Sequence, residues 1–234
     1  MKGQLFFIPN TLGDSPIERN LANETIGIIR SLKYFIVENV RSTRRFLKKV
    51  DKSIDIDTLT FFVLDKHTKV EDLPTFLKPL LDGNNMGMVS EAGCPGVADP
   101  GADIAQLAHE RNIRVVPLVG PSSILMSVMA SGLNGQSFAF NGYLPVKKEE
   151  VPKTIKMLEE RSRRENQTQL FIETPYRNMR LLEDLLRHCN PKTRLCIACD
   201  ITLETEYIVT KTVAKWKGSL PDINKRPAIF LILA

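Results

Sequence analysis

The chain has 234 residues, 43% of them hydrophobic and 25% charged, with a formal net charge of +5 and four cysteines. That length buries the core of one large or two modest domains, and no run approaches the roughly 18 apolar residues of a membrane span, which excludes a transmembrane bundle and a disordered polyelectrolyte. Neither the cysteines nor His67, His109 and His188 have the spacing of a disulfide framework or a metal cage, so no metal centre is expected.

The start runs from Met1-Lys2-Gly3-Gln4 straight into a strand-like stretch and does not read as a signal peptide, so a cytoplasmic protein is expected. Residues 5–8 form that strand and end in a Pro-Asn turn. Ile17, Leu21, Ile28 and Leu32 then recur near helical spacing, predicting a helix started by Pro16. A strand over 34–38 follows, then the basic segment 39–49, predicted to turn helical. A strand over 59–64 and a helix over 70–81 precede the most informative stretch of the chain. Residues 86–89 are a buried-type strand, and residues 90–101, Ser-Glu-Ala-Gly-Cys-Pro-Gly-Val-Ala-Asp-Pro-Gly, are a stiff, bare loop. Loops of this kind at the carboxyl ends of parallel strands are where open α/β sheets bind ligands; a plain strand-to-helix connection is the alternative.

The loop feeds a helix marked by Ala102, Ile104, Ala105 and Ala108, and a strand over 114–119 follows. This strand–helix alternation predicts a parallel sheet. Gly120-Pro121-Ser122-Ser123 opens a further helix, with Pro121 in its first turn, and a domain boundary is placed here, giving domains 1–120 and 121–234. Beyond it come a strand at 137–140, a polar connection at 141–150, a basic helix at 151–164 and a strand at 169–173. An amphipathic helix at 178–188 and strands at 195–199, 206–210 and 228–233 complete the chain, and their close spacing predicts a mixed sheet. Cys196 and Cys199 make a C-x-x-C, but residues three apart on a strand face opposite ways, so no shared ligand is expected. Residues 1–120 hold 15 Lys+Arg against 15 Asp+Glu, and residues 121–234 hold 17 against 12. The basic excess in the second half suits a polyanionic partner, with solvated lysines as the plain alternative.

Seven blocks, in order, now carry a resemblance: residues 9–14, 38–44, 90–101, 120–123, 131–133, 140–145 and 173–177. Together they resemble the tetrapyrrole methylase superfamily, and within it the bacterial branch that 2′-O-methylates a cytidine ribose of small-subunit ribosomal RNA. The resemblance implies an α/β fold of two domains, a parallel sheet followed by a mixed one, with S-adenosylmethionine in the cleft between them and a homodimer as the working form. It implies cofactor contacts from the loop at Ser90, Gly93, Cys94, Pro95 and Val97, and from Ser122 and Ser123. Further contacts would come from Pro9, from Phe171 and Ile172, from Ala198, and from Pro227 and Ala228.

A hydroxyl nucleophile makes a general base useful. The candidates are Glu38, Glu91 and Glu173, with Asp99 beside them; the competing role for each is a helix cap or an ion pair, as for Glu173 with Arg177. For an RNA substrate, Arg41, Arg44, Arg45 and Arg177 would contact phosphates. The chain departs from the branch at several points. Glu38-Asn39-Val40-Arg41 stands where Glu-Asp-Thr-Arg is usual, and Ser90-Glu91-Ala92-Gly93-Cys94-Pro95 stands where Ser-Asp-Ala-Gly-Thr-Pro is usual. Ala198-Cys199-Asp200-Ile201-Thr202 loses an arginine, and the C-terminal extension of many members is not represented. The expected function is therefore an S-adenosylmethionine-dependent RNA methyltransferase. Its rivals are a methylase of a tetrapyrrole or other small molecule and a non-catalytic cofactor- or RNA-binding paralogue.

Overall fold

Short, uninterrupted apolar runs become parallel strands in the first half of the chain, because a strand covered on both faces needs no polar side chain. In the computed structural model, which describes residues 1–65 and 67–234, the chain divides into two units, Met1–Ser122 and Ser123–Ala234.

The first unit runs β1 (Gln4–Ile8), α1 (Asn23–Ser31), β2 (Tyr34–Val37), α2 (Val40–Val50), β3 (Thr60–Val63), α3 (Leu73–Phe76), α4 (Lys78–Leu81), β4 (Met86–Val89), α5 (Gly101–Glu110) and β5 (Arg114–Pro117). Among the described residues its strands form one sheet, ordered β3-β2-β4-β1-β5 and parallel throughout. Alternation along the strands divides the core into two layers. Leu5, Phe7, Ile36 and Met88 pack with Leu77 and Ile104 on one face, while Phe6, Ile8, Phe35 and Val37 pack with Ile29 and Phe46 on the other. The order matters for the site: β4 inserts between β1 and β2, so the loops leaving these three strands are neighbours at the carboxyl end of the sheet.

The second unit runs α6 (Ser123–Ser131), β6 (Phe138–Tyr143), α7 (Val151–Glu165), β7 (Thr168–Ile172), α8 (Asn178–His188), β8 (Arg194–Cys199), β9 (Tyr207–Thr212), α9 (Val213–Trp216) and β10 (Ala228–Leu233). Its sheet is ordered β6-β7-β10-β8-β9; β6 and β7 are parallel and the remaining pairs antiparallel. Leu195, Ile197 and Cys199 of β8 share a core with Phe230 and with Ile155, Leu182 and Leu185 of α7 and α8. Phe171 and Phe230 stack in that core with ring centroids 6.2 Å apart. Trp216, fully buried, donates its indole N–H to Leu195 O at 2.9 Å. This is the partner a buried indole requires, and the short helix that carries it had no periodicity to reveal it.

Where the elements differ from the expectations, a named residue is responsible. The helix expected over 17–32 is a 3₁₀ turn at Ile17–Arg19 followed by α1. Asn20 donates from Nδ2 to Pro16 O at 2.7 Å, a side-chain bond that competes with helical continuation. The helix expected over 70–81 is a 3₁₀ turn and two single turns, because Pro74 and Pro79 each lack the N–H that would join them. The helix expected from Pro121 begins at Ser123, and the strand expected to reach Val119 ends at Pro117. The polar connection expected from 141 is instead the end of β6, which continues to Tyr143 through an irregularity.

Cys189, Cys196 and Cys199 are buried and free, and Cys94 is half-buried. Cys199 belongs to the helix-side core whereas Cys196 does not, as opposite-facing strand residues require. Burial pushes the Cys189 thiol up to about 12, with Glu159 adding to the shift, and the Cys199 thiol up to about 11, with Asp200 adding. These groups stay neutral and inert in the folded protein. A disulfide thiol reagent at mildly alkaline pH is therefore expected to modify Cys94 alone in the native protein and all four cysteines after denaturation. Rapid native modification of Cys189 would contradict this packing.

Candidate active site

The loop after β1 and the loop after β4 are tied together by one residue. Asn10 and Gly93 form an isolated antiparallel bridge, with Asn10 N donating to Gly93 O at 2.9 Å and Gly93 N to Asn10 O at 3.1 Å. The Asn10 side chain, nearly buried, donates from Nδ2 to Ser90 O at 3.0 Å and Glu91 O at 3.1 Å, while its Oδ1 accepts from Thr11 N at 2.8 Å. Ser90 is buried and its hydroxyl points back to Ala92 O and Gly93 O, so it shapes the loop from within.

The loop then bends at Gly93 and Gly96, both with positive φ, and at Ala98, a non-glycine residue at φ +63°. Such strain concentrates at functional loops. At Gly96 a Cβ would stand 3.0 Å from the Phe7 ring, so conformation and space both select glycine there. Asp99 stitches the second half: its Oδ1 accepts from Gly96 N at 2.7 Å and Gly101 N at 2.8 Å. Its Oδ2 is buried without a hydrogen-bond partner among the described residues, and burial raises its carboxyl above the ordinary range. Cys94 donates its thiol to Pro121 O at 3.4 Å, and Val97 is exposed. Gly120 lets Pro9 approach: a Cβ there would fall 2.1 Å from Pro9 Cγ.

Beside this loop lies the end of β2. Glu38 Oε1 accepts from Glu91 N at 3.2 Å, and Ser42 donates its hydroxyl to Glu91 Oε1. Burial raises the Glu38 carboxyl; the Glu91 N–H opposes that shift, and the charges of Asp99 and Glu91 add to it. Asn39 is the N-cap of α2, its Oδ1 accepting from Arg41 N at 2.9 Å and Ser42 N at 3.2 Å. An aspartate would do the same, so the cap of α2 is kept with asparagine at this position. Arg45 and Lys49 of α2 line a groove with Asn10, Leu12 and Glu91. Lys49 pairs with Asp14 at 2.6 Å and holds that carboxyl below its usual range. The other two arginines of α2 lie elsewhere: Arg44 sits over the Phe61 ring at 5.7 Å, and Arg41 is exposed at the start of α2.

In the second unit, Ile172, Ala198 and Ala228 meet at one end of the sheet. Ile229 pairs with Ile172 on one side and Ala198 on the other, and Ala228 pairs with Cys199. Phe171 is fully buried, its ring turned into the core against Phe230. The main chain around Pro227 is held by Asp200, whose N–H donates to Pro227 O at 3.0 Å and whose Oδ2 accepts from Arg226 Nε at 2.7 Å. Ser123 is the first residue of α6. The Glu173 carboxylate is 8% exposed and engaged by Arg177 Nη2 at 2.6 Å and Thr174 N at 2.6 Å, the ion-pair role rather than that of a free base. The structure thus gathers the first-unit candidates around Asn10 and α2, and the second-unit candidates around β7, β8 and β10. Asn10 and Ser42 were missed from sequence; an Asn directly after a strand-ending proline was their one visible signal.

No protein-family model matches the chain. It is 27% identical over 207 residues to the ribosomal RNA small subunit methyltransferase I of Escherichia coli O157:H7, covering 88% of this chain and 68% of that protein. It is 28% identical over 231 residues to the protein of that name from Vibrio cholerae, covering 97% of this chain and 76% of that one. Among solved structures, the methyltransferase CobJ superposes with a TM-score of 0.64 at 15% identity, over 99% of this chain and 94% of that one. The chain is a methyltransferase with the tetrapyrrole-methylase fold. In this methyltransferase the departures at residues 39 and 199 fall on a helix cap and on a buried core position, so both are accounted for by packing.

Asn39→Asp is expected to leave the unfolding free energy of the methyltransferase within a few tenths of a kcal/mol, and Asn39→Ala to lower it by about 1 kcal/mol. Denaturant titration of the two variants checks this. Asn10→Asp, which removes the donor facing two carbonyls, is expected to cost about 1–3 kcal/mol in the same measurement.

Proposed function

We propose that this methyltransferase uses S-adenosylmethionine to methylate a ribose 2′-hydroxyl of small-subunit ribosomal RNA, as a cytoplasmic homodimer. The observation that carries the reading is the meeting of Glu38, Glu91, Ser42 and the glycine-rich loop at the carboxyl end of the sheet, in a chain whose relatives bear the name ribosomal RNA small subunit methyltransferase. The first unit's donor set fits a cationic methyl donor. The buried Asp99 Oδ2 has an unused acceptor, and Gly93 and Gly96 keep side chains off the main-chain groups that Cys94, Pro95 and Val97 present. Ile172, Ala198 and Ala228 in the second unit offer the apolar strand ends an adenine needs, and Pro9, Ser122, Ser123 and Pro227 complete the proposed contacts.

S-adenosylmethionine supplies a methyl group already activated on a sulfonium, which leaves alignment, exclusion of water and removal of the hydroxyl proton to the protein. Glu38 takes that proton. Its Oε1 is held by Glu91 N, which fixes the carboxylate and leaves Oε2 for the hydroxyl. Its raised proton affinity makes it a better base than an ordinary carboxylate. Glu91 orients the cluster through Ser42, and Glu173 holds Arg177. Arg41, Arg45 and Arg177 contact phosphates; Arg44 is partly committed to Phe61.

Labelled methyl transfer to small ribosomal subunits that lack this modification tests the proposal. Label is expected on a ribose, recovered as an alkali-resistant dinucleotide. Label confined to a base, or none despite calorimetric binding of the cofactor, would overturn it. Glu38→Gln is expected to lower turnover about 10²–10⁴-fold with little change in cofactor affinity. In the wild type, activity should fall as pH drops through the Glu38 pKa, because the base must be unprotonated, and that midpoint should lie above the ordinary 4.5.

A further inference from the structure

Two tyrosines at the end of the second sheet where β6 and β7 finish are left unexplained by the methyl-donor reading. Tyr143 is 61% exposed and Tyr176 is 77% exposed, although a phenol ring is ordinarily largely buried. Tyr143 owes its position to the irregularity in β6. Phe140 pairs with Leu170 and Tyr143 with Ile172, so β6 spends one extra residue over that step. In regular pairing Gly142 would lie opposite Ile172 and Tyr143 would fall on the other face; the bulge turns it to the face of Ile172. Gly142 takes φ +64° to allow this, with nothing near its missing Cβ, and Asn141 pins the bulge by donating to Leu170 O at 3.1 Å and Ala139 O at 3.2 Å.

Tyr176 is presented as firmly. It sits in the 3₁₀ turn Pro175–Arg177, closed by Arg177 N donating to Thr174 O at 2.8 Å and braced by Lys225 N donating to Pro175 O at 3.0 Å. The charged residues near the two tyrosines, in the chain or across the Lys225–Pro175 hydrogen bond, are mixed, and the exposed ones lean positive. Glu173 is shut beneath Arg177, while Lys147, Lys148, Arg180 and Lys225 are exposed, facing the exposed Glu149 and Glu150 and the half-buried Asp184. Arg180 lies 4.0 Å from Asp184 and Lys147 3.5 Å from Glu150, loose pairs that a phosphate competes with readily. Held, exposed rings with exposed cations close by in the chain match the bases and phosphates of single-stranded RNA; a duplex keeps its base faces covered.

We infer that Tyr143 and Tyr176 are a stacking platform for unpaired bases of the RNA substrate. This rests on the RNA reading above and adds that the target is taken as a single strand. The test is fluorescence anisotropy of a short labelled single-stranded RNA with the wild type, Tyr143→Ala, Tyr176→Ala and the two Tyr→Phe variants. It is run beside methyl transfer to small subunits, with circular dichroism to show that each variant is folded. The wild type is expected to bind, each alanine variant to bind about tenfold more weakly with an unchanged salt dependence, and each phenylalanine variant to stay within about twofold. Alanine variants that bind free RNA as tightly as an active wild type would overturn the platform and leave the RNA reading standing. Variants that bind free RNA normally but fail on whole subunits would overturn it too, since the rings would then meet a ribosomal protein. A wild type that neither binds RNA nor methylates subunits would bring down the RNA reading itself and the platform with it.

Discussion

The first unit is organised by one amide. Parallel strands position their own backbones, but they say nothing about the loops that leave them, and two loops rich in proline and glycine have few donors with which to find each other. Asn10 solves this with a main-chain bridge to Gly93 and a side chain that satisfies two carbonyls of the neighbouring loop at once. Once that link is made, the Ser90 hydroxyl folds inward, the loop bends at Gly93, and the Glu91 N–H is aimed at Glu38. The carboxylate cluster is a consequence of the link rather than a separate construction.

The same economy covers two positions at which the sequence departs from the branch it resembles. A helix N-terminus asks for a short side-chain oxygen, and asparagine and aspartate serve equally; residue 39 is such a position. A core position under two helices asks for a small apolar body, and Cys199 supplies it. The non-catalytic reading drew its force from Asn39 and Val40 standing where reactive side chains are usual, and for Asn39 the N-cap of α2 supplies a structural duty. Arg45 and Lys49, by contrast, line the groove beside Asn10 and Glu91.

The sequence was most legible where one physical demand dominates. Buried strands such as Leu5-Phe6-Phe7-Ile8 and Ala228–Leu233 announce themselves by apolar content, and α8 by its stripe, because burial is the only requirement there. It was least legible where side chains bond to backbone. Asn20 cuts a periodic helix, Asn141 prolongs a strand through a bulge, and Asn10 joins loops far apart in sequence, and none of these acts through a repeating pattern. The prolines at 74 and 79 were visible, but their joint effect depends on the four residues between them, which neither proline can join into one helix. The pairing of Glu173 with Arg177 was an alternative the sequence offered from their closeness in the chain, and the structure makes it.

The two sheets also differ in when they can exist. In the first unit the central strand is β4, and the last strand to join, β5, lies at an edge and ends at Pro117. In the second unit the central strand is β10, which alone connects β7 to β8. During synthesis the first sheet is complete as soon as β5 has emerged, while the second remains two unjoined hairpin-sized fragments until residue 233 has been made. Those fragments would expose the two strand edges that β10 later covers, so nascent chains are most vulnerable to misassociation in that interval. The second unit is thus the part that stays incomplete longest, after the loops of the first are already in place.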